Sequence, residues 1–449
     1  MPNSKEKADD EKLDLVTQVV YSFFCESSDF NGISLRDISK KTGMEYKLSI
    51  DIVKQLVEQG NLSIQSSTNP HIIGVRHHPI EAQLELLEQA KSFTVTEKKV
   101  GPITFVSENT DYPICVYPSS LYLQAHRDLD SFSYAKYSKA LALGEGQLSF
   151  RFFESDVIER YAADPRFLFS FEDFSGHISC KYDDDGNPIV REEDQVFVKS
   201  FGLGFDSAKN RVIAVILRDL GRLSPEHQIH WSAKELPVTE CKVLSDYYDN
   251  AINGNWITVR SVFTALIDEI NAIHTLTESI FGVPLFRKSL DGDNRPRNFT
   301  FFFSPTTKNY YDFINLLDKY LSENINKAFF KDWLELEELK KTDDETFERI
   351  QKGTLRLLEE WISKVFRFAS EDAPSELMAP LKKVRKERQK PAHKIIDNTF
   401  DTGLIDLQKE VIQSCYFSLG SLRRLLQSHP KASSVELNNA IDKDNVKCF

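Results

Sequence analysis

The chain has no uninterrupted apolar run near the roughly 18 residues that a membrane-spanning helix needs. Its start, MPNSKEKADDEKLD, is charged and has no apolar h-region, so neither a membrane span nor a secretory leader is expected. The six cysteines (Cys25, Cys115, Cys180, Cys241, Cys415 and Cys448) are scattered with no CxxC pair, which excludes the usual zinc and dithiol motifs and fits reduced thiols in a cytoplasm. Basic charge is in deficit, with 56 Lys and Arg against 68 Asp and Glu and a net charge of -12. Apolar material is not scarce: 41% of the residues are hydrophobic, including 32 Phe, so the chain is expected to fold rather than remain disordered. At 449 residues it is too long for one ordinary core, and roughly two to four domains are expected. The fold class read from the patterning is α+β multidomain.

Residues 11 to 75 read as a winged helix-turn-helix. Leu13, Val16, Val19, Val20, Phe23 and Phe24 recur at helical spacing, Ser34 is placed to N-cap the short helix LRDISKKTG, and Gly43 closes that turn. A third helix is expected from about Met44 to Gln59, with Leu48, Ile52, Leu56 and Val57 inward. Gly60 and Asn61 then break it before LSIQ and IIGV, which are expected to make the wing. In a DNA reader the third helix enters the major groove, so Lys47 and Lys54 are candidate nucleic-acid contacts. Between 34 and 66, however, Arg36, Lys40, Lys41, Lys47 and Lys54 stand against Asp37, Glu45, Asp51 and Glu58, a net of only +1. A protein-docking or dimerising winged helix is therefore favoured over a DNA reader for this part. With a linker helix from about Pro79 to Lys91, it makes a first domain, 1–92.

A central domain, 93–305, is expected to be β-rich α+β. FTVT, GPITFV, PICVYP, QLSFRFF, FLFSF, GHISCKY, QVFVKSFGLGF, RVIAVILRDL and NFTFFF have the β-branched and aromatic enrichment of strands, with turns at DDDGNP and DGDNRP and one long helix over 257–281. Gly202 and Gly204 are too few for a phosphate loop and read as a bulged strand. DDDGNP lacks the later Glu of a calcium loop and reads as a turn. Glu226, His227 and His230 have no recognisable third metal ligand, and Asp219, Glu240 and Lys242 match a metal-nuclease order only at a permissive spacing. No metal and no cofactor is expected. The stretch RDLGRLSPEHQIHW still forms a charged corner after an apolar strand.

From 306 to 430 the chain reads as an antiparallel helical bundle, with helices over 309–327, 345–368 and 402–427, and the tail 431–449 is polar. The segment 345–368 places Phe347, Ile350, Leu355, Leu358, Trp361, Ile362 and Val365 along one stripe. Between the last two helices lies LKKVRKERQKPAHKI, residues 381–395. Here Lys382, Lys383, Arg385, Lys386, Arg388, Lys390 and Lys394 give seven positive charges against Glu387 alone. Such a segment either binds a polyanion with salt-dependent affinity or forms the solvated face of a helix.

The bundle with Arg388-Gln-Lys-Pro-Ala-His393 late in it resembles the HEPN superfamily, marked by an Arg, four to six residues and a His. The resemblance covers about 306–430. It implies a metal-independent endoribonuclease acting as a homodimer on RNA, of the kind found in toxin-antitoxin and phage-defence systems, with Arg388 and His393 as the catalytic pair. Lys382, Lys383, Arg385, Lys386, Lys390 and Lys394 would then steer the strand. His393 would move the proton of a ribose 2′-hydroxyl or of the leaving oxygen, and Arg388 would hold the phosphate. Gln389 stands where the family often has Asn, Asp or His after the motif Arg, and Pro391 is expected to kink or end the helix between the two groups. The alternative is a non-enzymatic nucleic-acid-binding or regulatory protein that uses the winged helix, with a dimerising but inactive bundle.

Overall fold

Capping and apolar spacing in the first sixty residues build the first three helices of a small head in the computed structural model of the chain. The structure describes residues 4–27, 30–64, 78–110, 112–256, 259–290, 296–341, 347–391, 397–438, 441 and 445–449. They form two compact α+β units, Met1–Glu154 with His177–Gly254, and Ser155–Gly176 with Asn255–Phe449.

The head of the first unit contains α1 (Ser4–Glu26), β1 (Ile33–Ser34), α2 (Leu35–Thr42), α3 (Tyr46–Glu58), β2 (Leu62–Ile64) and α4 (Ile80–Ala90). Ser34 caps α2 by accepting a hydrogen bond from the Asp37 N–H at 3.1 Å. Gly43 ends the helix at φ 68°, a left-handed turn that glycine takes without strain. Val16, Val20, Ile38, Ile50, Val53 and Leu56 meet in the core between these helices. Burying each such side chain contributes about 1.5–3 kcal/mol. Leu48, expected inward, is on the exposed side of α3, and Ile50 takes the inward place.

The sheet of this head is antiparallel in the order β1-β5-β2, where β5 is Cys115–Pro118. Val116 pairs with both Ile33 and Ile64. The strand that closes the head thus comes from PICVYP, a run assigned from the sequence to the central domain, while the expected wing strand IIGV lies outside the described residues. Between β2 and β5 runs the hairpin β3 (Val95–Val100) and β4 (Ile103–Glu108). Arg36 ties its base to the head, donating from Nε to Glu108 at 2.5 Å and from Nη2 to the Phe93 carbonyl at 2.8 Å.

The rest of the first unit is built on an antiparallel sheet of β6 (Phe150–Glu154), β7 (Phe197–Asp206), β8 (Arg211–Ile216), β9 (Glu235–Leu236) and β10 (Cys241–Val243). Its order is β9-β6-β8-β7, with β10 also on β7. Val212 to Ile216 are buried without alternation, as suits a strand covered on both faces. The bulge expected at FGLGF is absent here, because β7 and β8 keep register from Phe201 opposite Val215 to Phe205 opposite Arg211. The glycines serve close approach instead: a Cβ at Gly202 would lie 2.2 Å from the Tyr247 ring, and one at Gly204 would lie 2.8 Å from the Lys242 carbonyl oxygen. The ring belongs to α6 (Ser245–Ala251), and α5 (Leu217–Gly221) directly follows β8.

The second unit holds α7 (Val262–Phe281), α8 (Thr307–Asp318), α9 (Thr354–Val365), α10 (Ala373–Gln389) and α11 (Gly403–Gln427). The long helix expected in the central domain is α7, and it packs with the bundle. Glu269 on α7 accepts from Arg423 Nε on α11 at 2.7 Å, both residues being buried. The helix and the bundle thus lie in one unit, which takes up the chain again at Asn255. NFTFFF is no strand. Its rings pack on helices, Phe263 lying 5.4 Å from Phe299 and 4.9 Å from Phe301. The amide of buried Gln408 on α11 donates to the Thr300 carbonyl and accepts from the Phe302 N–H, replacing the ladder bonds a strand would have had. The helix expected over 345–368 begins only at Thr354. Before it, β11 (Glu337–Lys341) and β12 (Phe347–Gln351) form a hairpin that leaves Leu339 and Phe347 exposed.

Candidate active site on the basic helix

Met378, Leu381 and Val384 recur every three residues along α10 and are buried, which turns one stripe of the helix into the bundle and sets its cations on the flanks. There they meet carboxylates. Lys382 reaches Glu359 on α9 at 2.6 Å, Lys383 reaches Glu410 on α11 at 2.6 Å, and Lys390 turns back to Glu387 at 2.7 Å. Lys386 is exposed and has no partner among the described residues. His393 and Lys394 lie outside the described residues. The segment that is strongly basic in sequence is therefore largely neutralised where it sits, by acids distant in the chain.

Its two arginines converge on one acid. Nη1 of Arg385 and Nη1 of Arg388 lie 2.6 and 2.7 Å from Oδ2 of Asp318, whose side chain is only 1% exposed. Ser322 Oγ lies 2.6 Å from the other oxygen, Oδ1. Glu323 adds a second, outer carboxylate, 2.5 Å from Arg388 Nη1 and 3.9 Å from Arg385 Nη1. Burial pulls the Arg388 guanidinium down, but the bonds to Asp318 and Glu323 outweigh it and hold the group above its ordinary value. All these contacts use Nη1. Nε and Nη2 of both arginines have no partner among the described residues, and the side chains remain 43% and 30% exposed.

The local backbone makes this convergence possible. Asp318 ends α8, and the chain continues as a π-turn over Lys319–Glu323, in which Asn324 N donates to the Lys319 carbonyl at 3.0 Å. On an α-helix, residues 318 and 323 would point about 140° apart. The wider turn brings both acids, with Ser322, to one side. Sequence reasoning missed Asp318, Ser322 and Glu323 because a regular helix was assumed. Between Arg388 and the position of His393, α10 ends at Gln389, before Pro391. The proline expectation holds: Pro391 cannot supply the amide that would continue the helix.

In the first unit, Lys54 reaches Glu88 on α4 at 3.3 Å, while Lys47 is exposed on α3 with no partner among the described residues. The charged corner after β8 contains a second buried acid, Asp219 on α5. Its Oδ2 accepts from the Ser200 N–H at 3.1 Å, Oδ1 has no hydrogen-bond partner among the described residues, and Arg218 Nε stands off at 3.8 Å. Ser200 Oγ is in turn 3.0 Å from the Tyr247 hydroxyl. Burial pushes the Asp219 carboxyl up, against the Ser200 N–H and the charges of Arg218, Arg222 and Lys199. His227, on the helix Pro225–Ser232 that Ser224 caps, is buried. Among the described residues no group of three or more His, Cys, Asp and Glu is placed to hold a metal ion, and no helix is long and apolar enough to cross a membrane.

The Arg385, Arg388, Asp318 arrangement can thus present two fixed guanidiniums to an anion. No protein-family model, no curated protein and no solved structure matches this chain.

Proposed function

We propose that the chain is a metal-independent endoribonuclease of HEPN type whose active site lies at the C-terminal end of α10. The observation that carries this reading is the pair of guanidiniums held by buried Asp318. Holding two Nη1 atoms on one carboxylate anchors Arg385 and Arg388 side by side while leaving Nε and Nη2 for a phosphodiester. A guanidinium so oriented stabilises charge growing on the phosphoryl oxygens without reorganising at the moment of reaction. His393, four residues beyond the end of α10, supplies the proton-transfer group that the mechanism needs. In this reading it takes the 2′-hydroxyl proton or protonates the leaving oxygen, and the protein works as a homodimer with RNA as substrate.

The test is cleavage of a mixed RNA pool in the presence of EDTA by the full chain and by its Arg388→Ala and His393→Ala variants. EDTA-resistant cleavage that both substitutions abolish, at unchanged folded stability, supports the assignment. Cleavage that both variants retain moves the activity elsewhere.

A second reading is favoured by the head of the first unit. Its order of helix, strand, two helices about a left-handed Gly43 turn, strand and closing strand resembles a winged helix. Exposed Lys47 on α3 then contacts DNA, or the same face docks a protein partner, and the bundle serves only to dimerise.

A further inference from the structure

Asp318 and Glu323 bind the same two guanidiniums yet differ in depth. Asp318 is 1% exposed and Glu323 is 43% exposed. The inner acid cannot leave without abandoning a buried, hydrogen-bonded position, whereas the outer one is a long side chain at the solvent edge that re-solvates on a simple change of rotamer. With both in place the cluster holds two positive and two negative charges, and it attracts an anion only weakly. With Glu323 turned out it carries a net +1 on arginines already oriented by Asp318.

We propose that Glu323 is a carboxylate gate: it covers Nη1 of Arg388, beside the open Nη2 that takes the phosphodiester, and yields that Nη1 to a phosphate oxygen when a single-stranded RNA binds. A carboxylate and a phosphate oxygen are equivalent acceptors for a guanidinium edge, so the exchange replaces one charge-assisted contact by another and leaves Asp318 untouched. The π-turn is the structural device behind it, since only that wider turn sets Glu323 over the arginines that Asp318 holds from beneath. The gate raises specificity for polyanions. A lone phosphate must compete with an acid built into the chain, while a strand with several phosphates gains contacts elsewhere that offset the exchange. The proposal rests on the ribonuclease reading only for the identity of the strand.

The experiment is fluorescence anisotropy with a labelled 2′-O-methyl oligoribonucleotide, which binds but has no 2′-hydroxyl to attack. It is titrated at several salt concentrations against the full chain and its Glu323→Gln, Glu410→Gln, Arg388→Ala and Glu323→Gln/Arg388→Ala variants. Glu410 is the control, because it too sits on a cation of α10, Lys383, and its loss changes the net charge equally. Glu323→Gln is expected to tighten binding about 3–10-fold and to steepen the salt dependence by about one phosphate contact, a slope near 0.7. Glu410→Gln should change affinity less than twofold, and Arg388→Ala should cancel the gain. Equal effects of the two Gln variants, an unchanged Glu323→Gln, or no binding by any form overturns the gate. A gain specific to Glu323→Gln without EDTA-resistant cleavage keeps the gate and removes the ribonuclease reading. Cleavage without such a gain does the reverse.

Discussion

The two compact units each bury an aspartate, and the two acids live in opposite company. Asp318 is surrounded by two guanidiniums and a hydroxyl within 2.7 Å. Among the described residues Asp219 has one backbone N–H, a guanidinium nitrogen 3.8 Å away and one carboxylate oxygen with no hydrogen bond. A buried charge is costly unless paired, so the first arrangement is compensated and the second is a local liability. The difference also separates what each can do. The compensated acid orients cations that stay partly open to solvent, whereas the uncompensated one takes up a proton more readily than a carboxyl in water.

The largest effect is expected from making Asp318 resemble Asp219. Replacing both Arg385 and Arg388 by Ala leaves a buried carboxylate with Ser322 alone, and urea unfolding should show a loss of about 3–5 kcal/mol. Adding Asp318→Asn to that variant should restore a large part of it. If the triple variant is no more stable than the double one, the loss came from the arginine stems, and the electrostatic contrast fails.

The converse change relieves Asp219. Its folded-state carboxyl lies above the unfolded value, so the folded state holds the proton more tightly. Stability from this group is therefore full at low pH and is lost as pH rises from the unfolded carboxyl range through the raised folded value. Asp219→Asn should be more stable than wild type at pH 7, on the order of 1–3 kcal/mol. That advantage should shrink on acidification through the same window. An Asn variant that is less stable at pH 7 would show that the Ser200 bond to a full carboxylate matters more than its burial.

A smaller effect is expected at a pair that is neither buried nor convergent. Lys383 and Glu410 are 47% and 61% exposed, so Lys383→Ala should cost about 0–1 kcal/mol and less still at high salt. Thermal unfolding at two salt concentrations measures it, and a cost rivalling that of the arginine pair would erase the distinction between the surface pair and the Asp318 cluster.

Local signals in the sequence located much of the fold. Ser34 with Gly43 marked α2, Gly60 and Asn61 marked the end of α3, and the apolar spacing of 402–427 marked α11. Signals depending on partners misled. Phe299 to Phe302 carry strand-like residues whose rings are wanted by helices, and Phe347 with Ile350 mimic a helical stripe while lying in a hairpin. The candidate site was half legible. Arg385 and Arg388 stood out by charge density, but Asp318 and Glu323, more than sixty residues earlier, had nothing to mark them.

By itself, then, the sequence determined the caps, turns and helix stripes, because each depends on residues a few positions apart. It also placed seven cations in fourteen residues, 381–394. Which of those charges are neutralised, which are oriented and which remain open was decided only by the tertiary structure. Helices from distant parts of the chain bring their carboxylates to α10, and a single π-turn sets two acids on the side where a regular helix would place one.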